Sequence, residues 1–286
     1  MTGKKINILV TGASGQLGRA IKNNSLFNLN YNFFFKSKAE LNISSYDSIK
    51  RICLNHKIDT IINCAAYTNV DDSEFCKEVS NLVNNEYIKN IIKVCKELSI
   101  KLIHISTDYV FDGNKKEPYV ENDKVNPLNN YGFSKFRGEN QIVKSNLKNS
   151  IIIRTSWLYS NYGNNFVINI INQLKKGKEI KVIDNEFGSP TNADDFALLL
   201  IKLISKIENK KTEIYHYANT GYCSRYKFAN EIIKLCNSNE KVKRKKSQNN
   251  FTIRPKFSAL NSAKIMHEFG IELKDWKTSL NEYINK

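Results

Sequence analysis

Ile6-Asn7-Ile8-Leu9-Val10-Thr11-Gly12-Ala13-Ser14-Gly15-Gln16-Leu17-Gly18 is the stretch that decides the fold. The apolar run 6–10 is too short for a helix and ends in Thr11-Gly12, as a buried parallel strand feeding a tight turn does. Glycines then recur at every third position, Gly12, Gly15 and Gly18, where a helix over 16–23 opens. One glycine permits the sharp turn, another lets backbone amides reach a pyrophosphate at the helix N-terminus, and another lets helix and strand pack closely. A glycine motif alone says little. The strand before it and the helix after it supply the context of a dinucleotide site rather than a plain turn.

Working outward, strands are expected over 31–35, 60–63, 102–106 and 151–155, alternating with a Ser-capped helix over 45–56 and helices over 84–98 and 131–144. Such alternation predicts an α/β fold, a Rossmann-type doubly wound parallel sheet with right-handed crossovers. After Ser156 the pattern loosens into a helix over 166–176, a short strand over 180–183 and the turn-rich Asn185-Glu186-Phe187-Gly188-Ser189-Pro190. A helix over 194–207 and a strand over 214–217 return to the sheet, and helices over 224–236 and 274–284 follow. The expected organisation is a dinucleotide-binding domain, 1–155 plus about 190–220, and a smaller C-terminal α/β substrate lobe, about 156–189 plus 221–286.

Composition narrows the class. With 286 residues and 41% hydrophobic content the chain can bury a sizeable core. No stretch approaches the roughly 20 apolar residues of a membrane span, and residues 1–5 run straight into the first strand with no secretory segment, so a cytoplasmic protein without a membrane partner is expected. Cys53, Cys64, Cys76, Cys95, Cys223 and Cys236 form no C-x-x-C pair and have no histidine at ligand spacing, which predicts reduced, mostly buried thiols and no metal. His56, His104, His216 and His267 are isolated and read as satisfied core or surface histidines. The net charge of +16 raises a nucleic-acid partner. Its lysines are spread along the chain, however, and the one dense run, Lys241-Val242-Lys243-Arg244-Lys245-Lys246, lacks interleaved aromatics. That run reads as a solvated charged face, and no nucleic acid is expected. A basic enzyme still attracts an anionic, nucleotide-linked small molecule.

Tyr131-Gly132-Phe133-Ser134-Lys135 sets a phenol and an ammonium four residues apart, on one face of a helix. A free phenol titrates near ~10, and a neighbouring positive charge is expected to lower that value so that Tyr131 can act as acid and base. At the end of the fourth strand, Thr107 in Ser106-Thr107-Asp108-Tyr109 lies at the carboxyl edge of the sheet, where its hydroxyl can hold a carbonyl oxygen beside the phenol. After the second strand, Lys36-Ser37-Lys38 offers cations where NAD-selective proteins carry an acid. The expectation is NADPH with Lys36 as the contact; NADH, and a solvated basic turn, are the alternatives.

With these elements placed, the chain resembles the extended short-chain dehydrogenase/reductase family over nearly its full length. The likeness rests on the glycine motif, Asn63-Cys64-Ala65-Ala66-Tyr67-Thr68-Asn69-Val70-Asp71, Ser106-Thr107-Asp108-Tyr109-Val110-Phe111-Asp112-Gly113, Tyr131-Gly132-x-x-Lys135, Arg154-Thr155-Ser156-Trp157, Gly163-Asn164-Asn165-Phe166 and Arg254-Pro255. Within that family it is similar to the branch that reduces a keto group on a nucleotide-linked sugar. The resemblance implies a dTDP-linked 4-keto-6-deoxy-L-sugar as substrate and dTDP-L-rhamnose as product. It gives Thr107, Tyr131 and Lys135 the catalytic roles, with Lys135 also on the nicotinamide ribose. It puts Gly12, Gly15, Gln16, Leu17, Gly18, Ala65, Ala66, Tyr67 and Thr68 along the cofactor, Asn42 and Ile43 beside the adenine, and Thr107, Asp108, Trp157 and Asn165 at the sugar nucleotide. Arg19-Ala20 stands where some members carry an acid that helps hold a metal between subunits, so a monomer or weak homodimer is expected. Tyr67 stands where a histidine is common, and no relay through that position is carried over. A sugar-nucleotide dehydratase would place Glu after Asp108, where this chain has Tyr109. An epimerase and a non-catalytic dinucleotide-binding regulatory subunit stay open as alternatives.

Overall fold

Six strands form one all-parallel sheet: β1 (Ile6–Thr11), β2 (Tyr31–Lys36), β3 (Thr60–Asn63), β4 (Lys101–Thr107), β5 (Ser150–Thr155) and β6 (Glu213–His216). The computed structural model describes residues 5–26, 28, 30–245 and 252–286. The strand order is β6-β5-β4-β3-β1-β2. β1 therefore lies between β2 and β3, the connections reverse direction there, and the turns leaving β1 and β3 border a crevice at the carboxyl edge.

The two-residue period of the strands explains why both faces are covered. Ile8, Val10, Ile62, Ile103, Ile151 and Ile153 point to one face, where they meet α1 (Gln16–Ser25) and a later helix, Ala193–Leu203. Leu9, Ile61, Leu102 and Ile152 point to the other, against α2 (Tyr46–Asn55), α3 (Ile88–Leu98) and α4 (Asn130–Lys144). Each such side chain, taken fully out of water, contributes about 1.5–3 kcal/mol, so the continuous isoleucine runs hold the sheet between its layers. Helix starts are capped as the sequence implies: Ser45 accepts from the Ser48 amide at 3.2 Å, and Asn129 accepts from the Gly132 amide at 2.9 Å.

A third apolar cluster gathers Tyr159 of the short strand Leu158–Tyr159 with Val167, Ile170, Phe228, Ile232, Trp276 and Leu280 from α5 (Phe166–Lys175), from Arg225–Leu235 and from Trp276–Ile284. These segments belong to the stretch expected in the smaller lobe. The helix Ala263–Phe269 departs from that expectation, because Ile265 and Phe269, four residues apart on one face, pack into the cluster that also holds Tyr215 of the main sheet.

The single helix expected over 84–98 is broken. Short helices Asp72–Phe75 and Lys77–Asn81 lead into a π-helical turn, Leu82–Glu86, before α3 begins. The buried Asn84 side chain accounts for the π turn. It accepts from the Tyr67 amide at 2.8 Å, donates to the Tyr67 carbonyl at 2.9 Å and lies 2.9 Å from the Ser134 hydroxyl. The lysine-rich run also differs: Lys243–Lys245 is a strand, parallel to Lys181–Ile183 and exposed throughout. Lys246, the last residue of that run, lies outside the described residues.

Candidate active site

The crevice at the strand reversal opens into a cavity of about 650 Å³. Gly12 sits at its floor with φ +64°, and a Cβ there would come within 2.7 Å of the Cys64–Ala65 backbone at the end of β3. Only glycine lets these two turns touch. The Gly15 amide donates to the Gly12 carbonyl at 3.0 Å, and α1 then begins at Gln16 with no side-chain cap. Its first amides are thereby left free for an anion, as a pyrophosphate requires.

The cavity wall includes Gly12, Gly15, Gln16, Leu17, Gly18, Asn42, Ile43, Ala65, Ala66, Tyr67, Thr68, Thr107, Tyr131 and Lys135. The turn after β1, the loop after β2, the loop after β3, the end of β4 and the start of α4 thus meet in one space. One expected contact is absent from this wall. Lys36 is the last residue of β2, pairs in register with Thr11 and offers its carbonyl to the Ala13 amide at 3.1 Å, while Lys38 is the lysine on the wall. Leu41, Cys64, Val83, Tyr87, Ser106, Thr155 and Asn164 line the wall as well without having been singled out. The Ser106 and Thr155 hydroxyls are buried with no hydrogen-bond partner, polar groups whose burial is unfavourable until something pairs with them.

At the far end, Asn129 caps α4 and the Glu74 carboxylate accepts from the Asn130 amide at 2.8 Å, fixing the turn that carries Tyr131. The Tyr131 ring meets Tyr109 edge-on at 5.9 Å. Thr107 ends β4, donating to Asp108 at 3.1 Å and accepting from the Tyr109 amide at 3.2 Å. Lys135 is buried and donates to the Ile105 carbonyl at 2.6 Å.

The electrostatics correct a second expectation. Burial pushes the Tyr131 phenol above its ordinary range, and the Thr107 hydroxyl pulls it partly back. Lys135 does not govern that value, because its ammonium turns toward β4 and is itself depressed to about 8 by burial. The phenol is therefore held as an acid rather than poised to ionise. Asp108 lies behind Thr107, its carboxyl raised by burial to about 6.

Trp157 and Asn165 lie not in this cavity but in a second one of about 510 Å³, which adjoins the first through Gln16, Leu158 and Asn164. Lys181, Arg225, Lys245 and Arg254 also face it. The Arg225 guanidinium lies 3.5 Å from the centre of the Trp157 ring, and Arg254 is paired with Asp71 at 2.8 Å. Asp108 lines neither cavity; it accepts from Thr107, and its charge bears on both Tyr131 and Arg225.

A glycine turn at the strand reversal and a Thr–Tyr–Lys set at the opposite end of one cavity define a dinucleotide-dependent oxidoreductase of the extended short-chain dehydrogenase/reductase class. The chain belongs to the family described as RmlD substrate binding domain, which it matches over residues 6–286. It is 35% identical over 284 residues to the dTDP-4-dehydrorhamnose reductase of Aggregatibacter actinomycetemcomitans, covering 96% of each chain. Among solved structures, it superposes on a dTDP-4-dehydrorhamnose reductase from Clostridium acetobutylicum with a TM-score of 0.91 at 36% identity, covering 98% of this chain and 99% of that one. The Bacillus anthracis reductase, determined in complex with NADP, gives 0.92 at 33% identity over 99% of each.

Proposed function

We propose that this protein uses NADPH to reduce the 4-keto group of dTDP-4-dehydro-6-deoxy-L-mannose, giving dTDP-L-rhamnose. One observation carries the reading: the Tyr131 phenol, whose burial favours its protonated form, and the Thr107 hydroxyl line one cavity whose described wall holds no carboxylate. Elimination from a sugar needs a base at that place, whereas reduction needs an acid. The named reductases to which the chain is similar support the same choice.

The bare α1 N-terminus would hold the diphosphate of NADPH and Lys38 its extra phosphate, and the cofactor would supply the hydride. Thr107 holds the keto oxygen, and Tyr131 gives that oxygen its proton as the alcohol forms. Lys135 directs an N–H toward the nicotinamide ribose and keeps positive charge beside the developing alkoxide. The sugar nucleotide occupies the second cavity, where Asn165 offers a polar group, Trp157 holds the Arg225 guanidinium against its ring, and the basic lining draws the diphosphate. The proposal also includes the division into a dinucleotide domain and a substrate lobe, and a monomer or weak homodimer. A cytoplasmic setting suits six free thiols, and no helix among the described residues is long and apolar enough to cross a membrane.

The test is NADPH absorbance with enzymatically prepared dTDP-4-keto-6-deoxy-L-sugar. One cofactor oxidised per sugar reduced is expected; sugar converted at constant absorbance would instead establish an epimerase. Tyr131→Phe is expected to lower kcat by about 10²–10⁴ while NADPH still binds. NADPH binding with no turnover in the parent protein would instead leave a dinucleotide-binding regulator, and unchanged turnover in Tyr131→Phe would remove the phenol from the mechanism.

A further inference from the structure

The face of the sheet beneath α4 is apolar along Leu9, Ile61 and Leu102, but its next rung is not. Thr11, Asn63 and His104 follow two residues later on β1, β3 and β4, and they are register partners, Thr11 with Asn63 and Asn63 with His104. All three are buried, His104 with no exposed surface. Thr11 Oγ1 lies 2.5 Å from Asn63 Oδ1, the Asn63 amide lies 3.0 Å from His104 Nδ1, and His104 Nε2 lies 3.4 Å from Lys135 Nζ. A polar row across three central strands is costly to bury, and it ends on the lysine.

We infer that His104 is a positioning residue for Lys135, and that its tautomer follows the charge on that lysine. An ammonium has three N–H donors. One goes to the Ile105 carbonyl, a second meets His104, and the third is left for the cavity, so two successive β4 residues aim the remaining donor at the ligand. For an ammonium, Nε2 must be bare, Nδ1 carries the proton and gives it to the Asn63 oxygen, and the Asn63 nitrogen faces Thr11. For a neutral amine the amide reverses: Asn63 donates to Nδ1, and Nε2–H points at the lysine nitrogen. Both chains of hydrogen bonds use the same side chains; the Thr11–Asn63 contact, 2.5 Å as an O–H···O bond, lengthens when the amide turns its nitrogen to Thr11.

His104 stays neutral in either case, since burial and then the Lys135 charge hold it well below the ordinary imidazole range. The other ionisable groups bearing on Lys135 are Glu139 on α4 and Cys64 after β3, both favouring its charged form, with Tyr131 one helical turn away. Glu139 is engaged by Arg154 in two hydrogen bonds, at 2.9 and 2.7 Å, and the Cys64 thiol is pushed up to about 12 by burial. His104 is thus the described side chain that offers Lys135 a hydrogen-bond acceptor.

The inference builds on the proposed role of Lys135, but its first test needs no turnover. In the full-length protein with NADP⁺ bound, NMR of isotope-labelled imidazole nitrogens is expected to show the His104 proton passing from Nδ1 to Nε2 between roughly pH 6.5 and 9.5, with no imidazolium formed. Lys135→Met should abolish the change. A tautomer constant across that range in the unaltered protein would overturn the inference, whatever the activity assay says. The variants give a second readout. The side-chain oxygen introduced by His104→Gln reaches toward Lys135, whereas that of His104→Asn reaches only toward Asn63. His104→Asn should move the alkaline limb of kcat/KM down by about one pH unit, a roughly tenfold loss on that limb, and His104→Gln should restore it. An unshifted limb in folded His104→Asn would also defeat the proposal.

Discussion

Lys38 and Asp108 show how single side chains set this site. Lys38 sits on the cavity wall and Lys36 does not, because Lys36 still belongs to β2. Lys38→Glu is expected to cut the NADPH-over-NADH preference in kcat/KM by about tenfold or more, as loss of a charge-assisted contact of 1.5–3 kcal/mol implies. Lys36→Glu should leave it within about twofold, and the reverse ranking would return the contact to Lys36. For Asp108, burial raises the carboxyl from 3.8 to about 6. The folded protein then keeps a proton that the unfolded chain releases, so this group's contribution falls as pH rises from about 4 to 6 and stays low above. Asp108→Asn should therefore gain about 2–3 kcal/mol of stability at neutral pH relative to pH 4. Denaturant titrations at the two pH values check this, and an equal effect at both would refute it.

Among the elements, α4 and the π turn Leu82–Glu86 are fitted to one another. A Cβ at Gly138 would stand 2.1 Å from the Asn84 carbonyl oxygen, a contact that must move backbone. Gly138→Ala is expected to cost about 1–3 kcal/mol through overpacking, despite the better helix propensity of alanine, and to raise KM for NADPH because Asn84 also holds the Tyr67 backbone. A melting temperature at or above that of the parent would show that the turn yields freely. The π turn also shows where sequence reading stops. The strands, the glycine turn and the Tyr131–Lys135 spacing depend on local periodicity and are written in adjacent residues. The partners of Asn84 lie at Tyr67 and Ser134, so nothing near Asn84 announces the bulge. His104 likewise reads as one histidine in an apolar strand, and its role emerges only when strand register brings Asn63 beside it and α4 sets Lys135 over it. The Tyr131 phenol is raised where spacing alone predicts it lowered, because spacing shows that a lysine is near but not that the phenol is buried.

For the whole molecule, the net charge of +16 bears on encounter more than on fold. Lys181, Arg225, Lys245 and Arg254 face the second cavity. Salt should therefore lower kcat/KM for the sugar nucleotide by about three- to tenfold between roughly 0.02 and 0.5 M, with kcat little changed. A flat salt profile, or one in which kcat falls instead, would show that the charge plays no part in capture.

The two glycines of α4 bear on redesign. Gly132 admits the Tyr109 carbonyl on one side of the helix, and Gly138 admits Asn84 on another. Main chain thus presses on the helix bearing the acid and the lysine at two points about 120° apart around its axis, so shifting it toward a differently shaped ketone would drive backbone against backbone. A catalyst for new sugars would have to be sought by reshaping the residues around Trp157 and Asn165, with the reacting groups left where they stand.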